Sequence, residues 1–182
     1  MSASEKTTHF GRAGEYAAMS ELLLRGWNVA VPVVDIGDDV FVINDNDKTT
    51  FRVQVKSAYA MLVEQNVWTA SFNLSRAQLR AQQQVELFYM LMVRIDACWR
   101  FLVIPRQRLF DIHDAHVSAP PGGRGRPPKT HDAASTDGLS LEVRSDRGDI
   151  TAWRQSLQEY FDAWPETLPL LDAGPGTRRR RS

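Results

Sequence analysis

The sequence predicts an α/β fold in which a mixed β-sheet of about four to five strands is flanked by helices. The first observation behind this prediction is the order of the elements, which runs helix, several strands, helix, strands, helix. The second is the strict alternation of polar and apolar residues over 50–56, which is the period of a strand. The third is a pair of apolar runs, 87–95 and 99–104, which are typical of buried strands.

The first element is an amphipathic helix predicted over residues 11–25, with Thr7 or Thr8 as its cap and Gly26 as its stop. Its apolar stripe consists of Tyr16, Met19, Leu23 and Leu24. One side carries only small residues, which are Gly11, Gly14, Ala17 and Ala18. Because that side is almost bare, the helix can lie close to a sheet.

Five strands are predicted in the next part of the chain. They lie at residues 27–34, 39–43 and 49–57, followed by a hairpin over 58–74 that turns at 65–66. Pro32 places the first of them at a sheet edge or ends it. The acidic turn at residues 44–47 joins the second strand to the third.

The second half of the chain begins with Ser75, which is predicted to cap a short polar helix over residues 76–84. The two apolar strands follow, and Pro105 then begins a helical turn that reaches about Phe110. A strand is predicted at residues 139–144. Asp149 is predicted to cap a last amphipathic helix that carries Trp153, Leu157, Tyr160, Phe161 and Trp164.

Composition favours a single domain, predicted over residues 8–164, since 43% of residues are hydrophobic and 24% are charged. Within it, residues 118–138 are rich in Pro, Gly and Asp, and a flexible loop is predicted there. The net charge is zero, with 22 basic and 22 acidic residues, but the predicted tail at 165–182 ends in four consecutive arginines. The body is therefore mildly acidic and the tail is basic.

Several classes of protein are disfavoured by the sequence. No apolar run reaches the length of a membrane span, and the N-terminus lacks the apolar stretch of a secretory signal. A single cysteine, Cys98, excludes an internal disulfide framework and fits a reducing compartment, so a cytoplasmic location is expected. Cys98 lies in an apolar strand, where a buried thiol is expected rather than a nucleophile.

Polar residues on two neighbouring strands form the candidate site. Asp39 heads one strand, while Gln54 and Lys56 share a face of the next, and Glu15 comes from the preceding helix. An acid, an amide oxygen and an ammonium converging over a sheet can hold a divalent cation and a phosphate together. The alternative is an amphipathic edge strand whose Arg52, Gln54 and Lys56 face water.

The chemistry of such a site is phosphodiester hydrolysis, in which magnesium lowers the pKa of water and neutralises charge on the phosphate. Asp39 is the predicted anionic ligand, and the Gln54 amide oxygen and the Val55 main-chain carbonyl are further hard oxygen donors. Glu15 is predicted to bind through a water or to orient it. Lys56 is predicted to hold the attacking water or a phosphate oxygen. The predicted cofactor is Mg²⁺ or Mn²⁺.

Other groups compete for these roles. Asp35 and Asp38 are rival metal acids, and Asp39 is preferred because four apolar strand residues follow it directly. His113 and His116 lie three apart, but without further ligands at a suitable spacing a surface cluster at a helix end is expected. No glycine-rich phosphate loop is present, so no nucleotide cofactor is expected.

The helix with Glu15, the strand led by Asp39 and the Gln54-Val55-Lys56 triplet resemble the PD-(D/E)xK (restriction-endonuclease-like) nuclease superfamily. The triplet is similar to the Gln-x-Lys variant of Mrr-like enzymes, and the first half also looks like small Holliday-junction-resolvase-type nucleases. The resemblance covers about residues 8–105. It implies a restriction-endonuclease-like fold, with Asp39 and Gln54 as metal ligands, Lys56 as the catalytic lysine and Glu15 as the helix acid.

Two departures from that pattern matter for function. Asp38 stands where the motif has proline, and Gln54 stands where it has a second acid. Loss of that negative charge weakens metal affinity. A catalytically inactive nuclease-fold DNA-binding module therefore stays open as an alternative, as does a protein-interaction domain that uses the aromatic last helix.

Basic residues predict contacts with DNA. The segment 123–129, Gly-Arg-Gly-Arg-Pro-Pro-Lys, resembles an AT-hook, an extended element that places arginine in the narrow minor groove of AT-rich DNA. A solvated flexible loop is the equal alternative. The predicted DNA-binding residues are Arg12, Arg52, Arg124, Arg126 and Lys129.

These observations predict a magnesium-dependent DNA endonuclease with a role in restriction, repair or defence. DNA is the expected partner. A homodimer is expected because two cuts in a duplex usually need two active sites.

Overall fold

Three α-helices and ten β-strands make up the described part of the chain in a computed structural model. It describes residues 3–33, 38–45, 47–82, 84–118, 137–165 and 168. In chain order the elements are α1 (Ala3–Leu24), β1 (Asn28–Ala30), β2 (Val40–Ile43), β3 (Thr50–Tyr59), β4 (Met61–Glu64), β5 (Val67–Ser75), α2 (Arg76–Arg80), β6 (Leu87–Ile95), β7 (Cys98–Pro105), α3 (Arg106–Ser118), β8 (Gly138–Asp146), β9 (Asp149–Ala152), β10 (Gln155–Ser156) and a 3₁₀ turn (Gln158–Tyr160).

The strands form two sheets of five. The first has the order β1-β2-β3-β6-β7 and the second has the order β10-β9-β8-β5-β4. In the first sheet β3 and β6 run parallel, from Arg52 opposite Leu87 to Tyr59 opposite Arg94, and the other pairs are antiparallel. The predicted α/β class with a mixed five-stranded sheet is therefore confirmed. The second, wholly antiparallel sheet was not predicted.

Strand β6 separates two hydrophobic cores because both of its faces are buried. Phe88, Met90 and Met92 pack on one side, in the core that contains Ala18 and Leu22 of α1. Tyr89, Leu91 and Val93 alternate with them and enter the other core. That second core contains residues of α2, α3 and the second sheet, including Leu79, Leu109, Phe72, Leu141 and Val143. The layers are therefore α1, the first sheet and the second sheet.

Helix α1 approaches the first sheet closely, as its small residues predicted. A Cβ added at Gly14 would lie 2.8 Å from the Cβ of Ser57 on β3. Ala18 is fully buried. The helix begins at Ala3, about two turns before the predicted start. This close packing places the neighbouring Glu15 beside β3, on the face of the first sheet to which Val53 and Val55 belong.

The predicted C-terminal helix is wrong. Residues 149–152 and 155–156 form β9 and β10, and only a short 3₁₀ turn follows. A turn at Arg147 and Gly148, both with positive φ, sends β9 back along β8. The apolar residues do recur at helical spacing, but backbone pairing with β8 and burial of Ile150 and Leu157 in the second core decide the conformation.

Smaller predictions also differ from the structure. The first strand is only three residues long, α2 ends at Arg80 and α3 reaches Ser118. Cys98 is exposed rather than buried, because it starts β7 beside a turn. His113 is buried against Trp153 rather than lying on the surface. The Ser75 cap of α2 and the hairpin turning at residues 65–66 are as predicted.

Some predictions fall outside the described residues. Most of the 118–138 loop lies there, as does nearly all of the 165–182 tail, while Ser118 ends α3 and Gly138 begins β8. Among the described helices, none is long and apolar enough to cross a bilayer.

Two glycines of α1 should respond to substitution in opposite directions. Gly11→Ala should stabilise the protein by about 0.8 kcal/mol, because alanine favours a helix and nothing lies within 4 Å of the new Cβ. Gly14→Ala should destabilise it by about 1 to 3 kcal/mol, because Ser57 must be displaced. Urea denaturation of both variants checks this. Equal effects would show that α1 does not pack on β3 as described.

His113 should make stability depend on pH. Burial, followed by the nearby charges of Arg76 and Arg80, lowers the pKa of His113 below the ordinary value of 6.5. The unfolded chain then takes up a proton that the native state resists. Stability should fall as the pH drops through 6.5 towards the folded pKa, and should be fully retained above 6.5.

The control variants for this prediction lie on the same helix. His113→Gln should flatten the loss of stability between pH 7.5 and 5, as measured by urea denaturation at each pH. His116→Gln, which changes an exposed residue, should retain it. A wild-type slope in the His113 variant would contradict the assignment.

Candidate active site

Asp39 lies just before β2 and binds the backbone and a side chain of β3. Its amide N–H donates to the Val53 carbonyl over 3.2 Å. Its Oδ2 accepts a hydrogen bond from the Val55 amide over 2.7 Å and another from Nε2 of Gln54. Asp39 therefore extends the hydrogen bonding between β2 and β3 by one residue before the start of β2.

The edge of β3 is open beyond this point in the described structure. The β2 pairing stops at Val40 opposite Val53, whereas β3 continues to Tyr59. The backbone N–H and C=O of one strand residue point to the same side, so the Val55 carbonyl faces the edge at which Asp39 lies. The two oxygens that the sequence predicts as ligands thus share one edge.

Gln54 is buried, with 4% of its surface exposed, and points towards the second sheet. Its Oε1 accepts a hydrogen bond from Nε2 of Gln78 over 3.0 Å. The Tyr89 hydroxyl donates to Oε1 of Gln78 over 3.2 Å. Burial raises the pKa of Tyr89, so its hydroxyl stays protonated and able to donate. Gln54 is therefore held from both ends of its amide.

Lys56 follows two residues after Gln54 on β3 and is half-buried. Strand alternation puts its side chain on the same face as Gln54. The order Asp39, Gln54, Lys56 thus runs along one edge and one face of the sheet.

Glu15 lies on α1 and pairs with Arg12 over 2.5 Å. The hydrogen bond from Arg12 to Glu15 and the charge of that carboxylate raise the pKa of Arg12, and the Asp39 charge adds a smaller contribution in the same direction. Arg12 is 64% exposed. Arg12 therefore interacts with both acids, and most strongly with Glu15.

Asp38 has a different role from its neighbour. Its buried carboxylate accepts two hydrogen bonds from Arg52, each of 2.6 Å. This bidentate pair favours Asp39 over Asp38 as the metal acid. It also occupies the guanidinium of Arg52, whose contact with DNA stays a prediction. Asp35 lies outside the described residues, as do Arg124, Arg126 and Lys129.

The donor set fits a hard divalent cation on one condition. Asp39 offers a carboxylate and Val55 a carbonyl, both of which Mg²⁺ accepts. Gln54 presents its amide N–H₂ to Asp39, so its carboxamide must rotate before its oxygen can bind. Within the described residues, no three His, Cys, Asp or Glu side chains converge on a metal site. A cation here would therefore depend on the amide and carbonyl oxygens.

Gln78 and Tyr89 were not predicted as part of the site. Gln78 lies 24 residues from Gln54 along the chain, and Tyr89 belongs to a continuous apolar run. No sequence motif marks either residue. The pairing of Gln54 with Tyr89 across β3 and β6 brings Tyr89 to the site, and α2 places Gln78 between them.

Comparisons with known proteins give limited information. No family model matches the chain, and no curated protein matches it. A solved structure of a bacterial homing endonuclease, I-Ssp6803I, is similar over 68% of this chain and 82% of its own, with 20% identity and a TM-score of 0.39. Similarity at that level assigns neither a family nor an activity to this chain.

Adjacent acids should behave differently when neutralised. Asp38→Asn should destabilise the protein by at least about 2 kcal/mol, because the Arg52 guanidinium, on a side chain that is only 15% exposed, loses its charged partner. Asp39→Asn should cost less than about 1 kcal/mol, because the new amide oxygen still accepts the hydrogen bond from Val55. Urea denaturation of the two variants provides the comparison. The reverse order would mean that the two carboxylates have exchanged roles.

Proposed function

We propose that this protein is a metal-dependent DNA endonuclease that hydrolyses phosphodiester bonds. The observation that carries the proposal is that the Asp39 carboxylate is hydrogen-bonded to Gln54 and Val55 at the open edge of β3. Lys56 follows two residues after Gln54 on the same strand. Carboxylate, carbonyl and amide oxygens beside an ammonium suit a cation and a phosphate together.

Each residue has a distinct role in the proposed reaction. Asp39, the Val55 carbonyl and a rotated Gln54 amide would hold Mg²⁺ or Mn²⁺, which would lower the pKa of water and neutralise charge on the phosphate. Lys56 binds the attacking water or a phosphate oxygen. Glu15 would orient that water after the ion pair between Glu15 and Arg12 breaks. A water oxygen bonds to phosphorus and gives up a proton to the solvent, while one ester P–O bond breaks and the leaving sugar oxygen takes up a proton.

The charge of the site sets its expected metal affinity. Asp39 is the single carboxylate in the proposed ligand set, and Gln54 is neutral. A site with two carboxylates attracts a cation more strongly than a site with one. Cleavage by this protein should therefore need a higher metal concentration than cleavage at a two-carboxylate site. Weak metal binding of this kind is consistent with Mg²⁺, which keeps several waters and uses few protein ligands.

DNA binding is proposed for basic groups near the site and for others outside the described residues. Arg12 lies beside Glu15 with most of its side chain exposed. The other proposed contacts are Arg52, Arg124, Arg126 and Lys129, and a homodimer would provide the second active site for cutting a duplex. Contacts to phosphate make affinity fall with salt.

One observation favours a second candidate function. Gln54 turns its amide N–H₂, and not its oxygen, to Asp39. A nuclease-fold module that binds DNA without cleaving it would retain this hydrogen bond from the Gln54 N–H₂ to Asp39. A protein-interaction domain is less well supported, because the aromatic C-terminal helix on which it relied is not formed.

Nicking of supercoiled plasmid tests the proposal. The parent protein should cleave with Mg²⁺ or Mn²⁺ and not with EDTA. Lys56→Ala and Asp39→Asn should each lower the rate by at least about 100-fold, because each loses a group that acts on the water or the phosphate. Lys48→Gln, which removes an exposed lysine from the turn before β3, should cleave like the parent.

The possible outcomes separate the candidate functions. DNA binding that weakens with salt and survives EDTA, without cleavage, would identify the inactive module. Absence of both binding and cleavage would favour an interaction domain. Parental cleavage by both site variants would mean that the active site lies elsewhere.

A further inference from the structure

A relay of partly buried hydrogen bonds leads from the interior of the protein to the Asp39 carboxylate. The Tyr89 hydroxyl donates to Gln78, Gln78 donates to Gln54, and Gln54 donates to Asp39. Tyr89 is fully buried and Gln54 almost so. Each donor in the relay points towards the candidate site.

Helix α2 fixes the middle of this relay. The Ser75 hydroxyl accepts a hydrogen bond from the backbone N–H of Gln78 over 3.1 Å. The Asp137 carboxylate accepts one from the backbone N–H of Ala77 over 2.7 Å. At the other end, Arg106 of α3 donates to the Leu79 carbonyl over 2.8 Å. Five residues would not hold a helix alone, so these contacts set the position of Gln78.

The direction of donation decides which atom of Gln54 faces Asp39. Gln78 offers an N–H to Gln54, so the oxygen of Gln54 turns inwards and its N–H₂ turns to the carboxylate. An amide nitrogen has no free lone pair for a cation. In this state Gln54 partly neutralises Asp39 and supplies no ligand.

The two inner hydrogen bonds of the relay, between Gln54 and Gln78 and between Gln78 and Tyr89, can both form in the reverse direction. The oxygen and nitrogen ends of a carboxamide have nearly the same shape, so Gln54 and Gln78 can both rotate by half a turn. Gln54 then donates to Gln78, and Gln78 donates to the Tyr89 hydroxyl, which accepts as readily as it donates. The Gln54 oxygen would now face Asp39, an unfavourable pair of acceptors unless a cation lies between them.

We propose that Gln78 and Tyr89 are positioning residues that couple divalent cation binding at Asp39 to a paired rotation of the Gln54 and Gln78 amides. This inference rests on the proposed function. It gives the neutral Gln54 a specific role, since a carboxylate at that position would need no rotation. The second sheet and α3 act on the site through the anchoring of α2.

Gln78→Glu tests the direction of the relay. An ionised carboxylate only accepts hydrogen bonds, so Gln54 must donate to it and turn its own oxygen to Asp39. The variant should bind Mn²⁺ about fivefold more tightly than Gln82→Glu, which adds the same charge at an exposed position on the chain after α2. Titration of the DNA-free protein followed by electron paramagnetic resonance measures this affinity. Equal affinity in the two variants overturns the relay.

A second measurement uses the unmodified protein and stays decisive if Gln78→Glu does not fold. In a Mg²⁺ titration followed by NMR, the side-chain amide signals of Gln54 and Gln78 should shift together. Tyr160→Phe should leave this joint shift intact, whereas Tyr89→Phe should alter it. Movement of Gln54 without Gln78 overturns the relay but leaves the nuclease proposal standing. A parent protein that binds no Mn²⁺ and nicks no DNA removes both.

Discussion

The parallel pairing of β3 with β6 organises this molecule, because both strands serve two cores at once. On one face Val53 and Val55 pack with Ala18 and Leu22 of α1, and on the other Ala58 enters the core shared with the second sheet. A one-residue slip in register would exchange these faces and move the polar side chains into the α1 core. The positions of Gln54 and Lys56, and the proximity of Gln54 to Tyr89, therefore follow from this register.

The unequal lengths of β2 and β3 create the candidate site. Beyond the pairing of Val40 with Val53, β3 still has backbone groups that need hydrogen-bond partners. The Asp39 carboxylate is the partner of one of them, the Val55 N–H. Asp39 thus has a structural role and a proposed chemical one. Next to Asp39, the ion pair of Asp38 with Arg52 is largely shielded from solvent. Two adjacent acids are separated in function because one is buried against a guanidinium and the other lies at an open edge.

The neutrality of Gln54 is the feature that most shapes the proposed chemistry. A carboxylate at this position would repel Asp39 and draw a cation between them, whereas an amide can satisfy Asp39 through its own N–H₂. The site therefore has a stable closed form made by the protein alone. Gln78 and Tyr89 reach it from α2 and β6, so a layer that the sequence did not predict contributes to the site.

The sequence by itself determined the elements whose signals are local. The alternation over β3, which puts Gln54 and Lys56 on one face, the Ser75 cap and the turn at residues 65–66 all follow from spacing along a few residues. Tertiary structure alone decided the second sheet, the strands that replace the expected C-terminal helix, the burial of His113 and the link from Gln78 to Gln54. Each of these depends on contacts between distant segments, where backbone pairing and burial outweigh a local periodicity that fits either state.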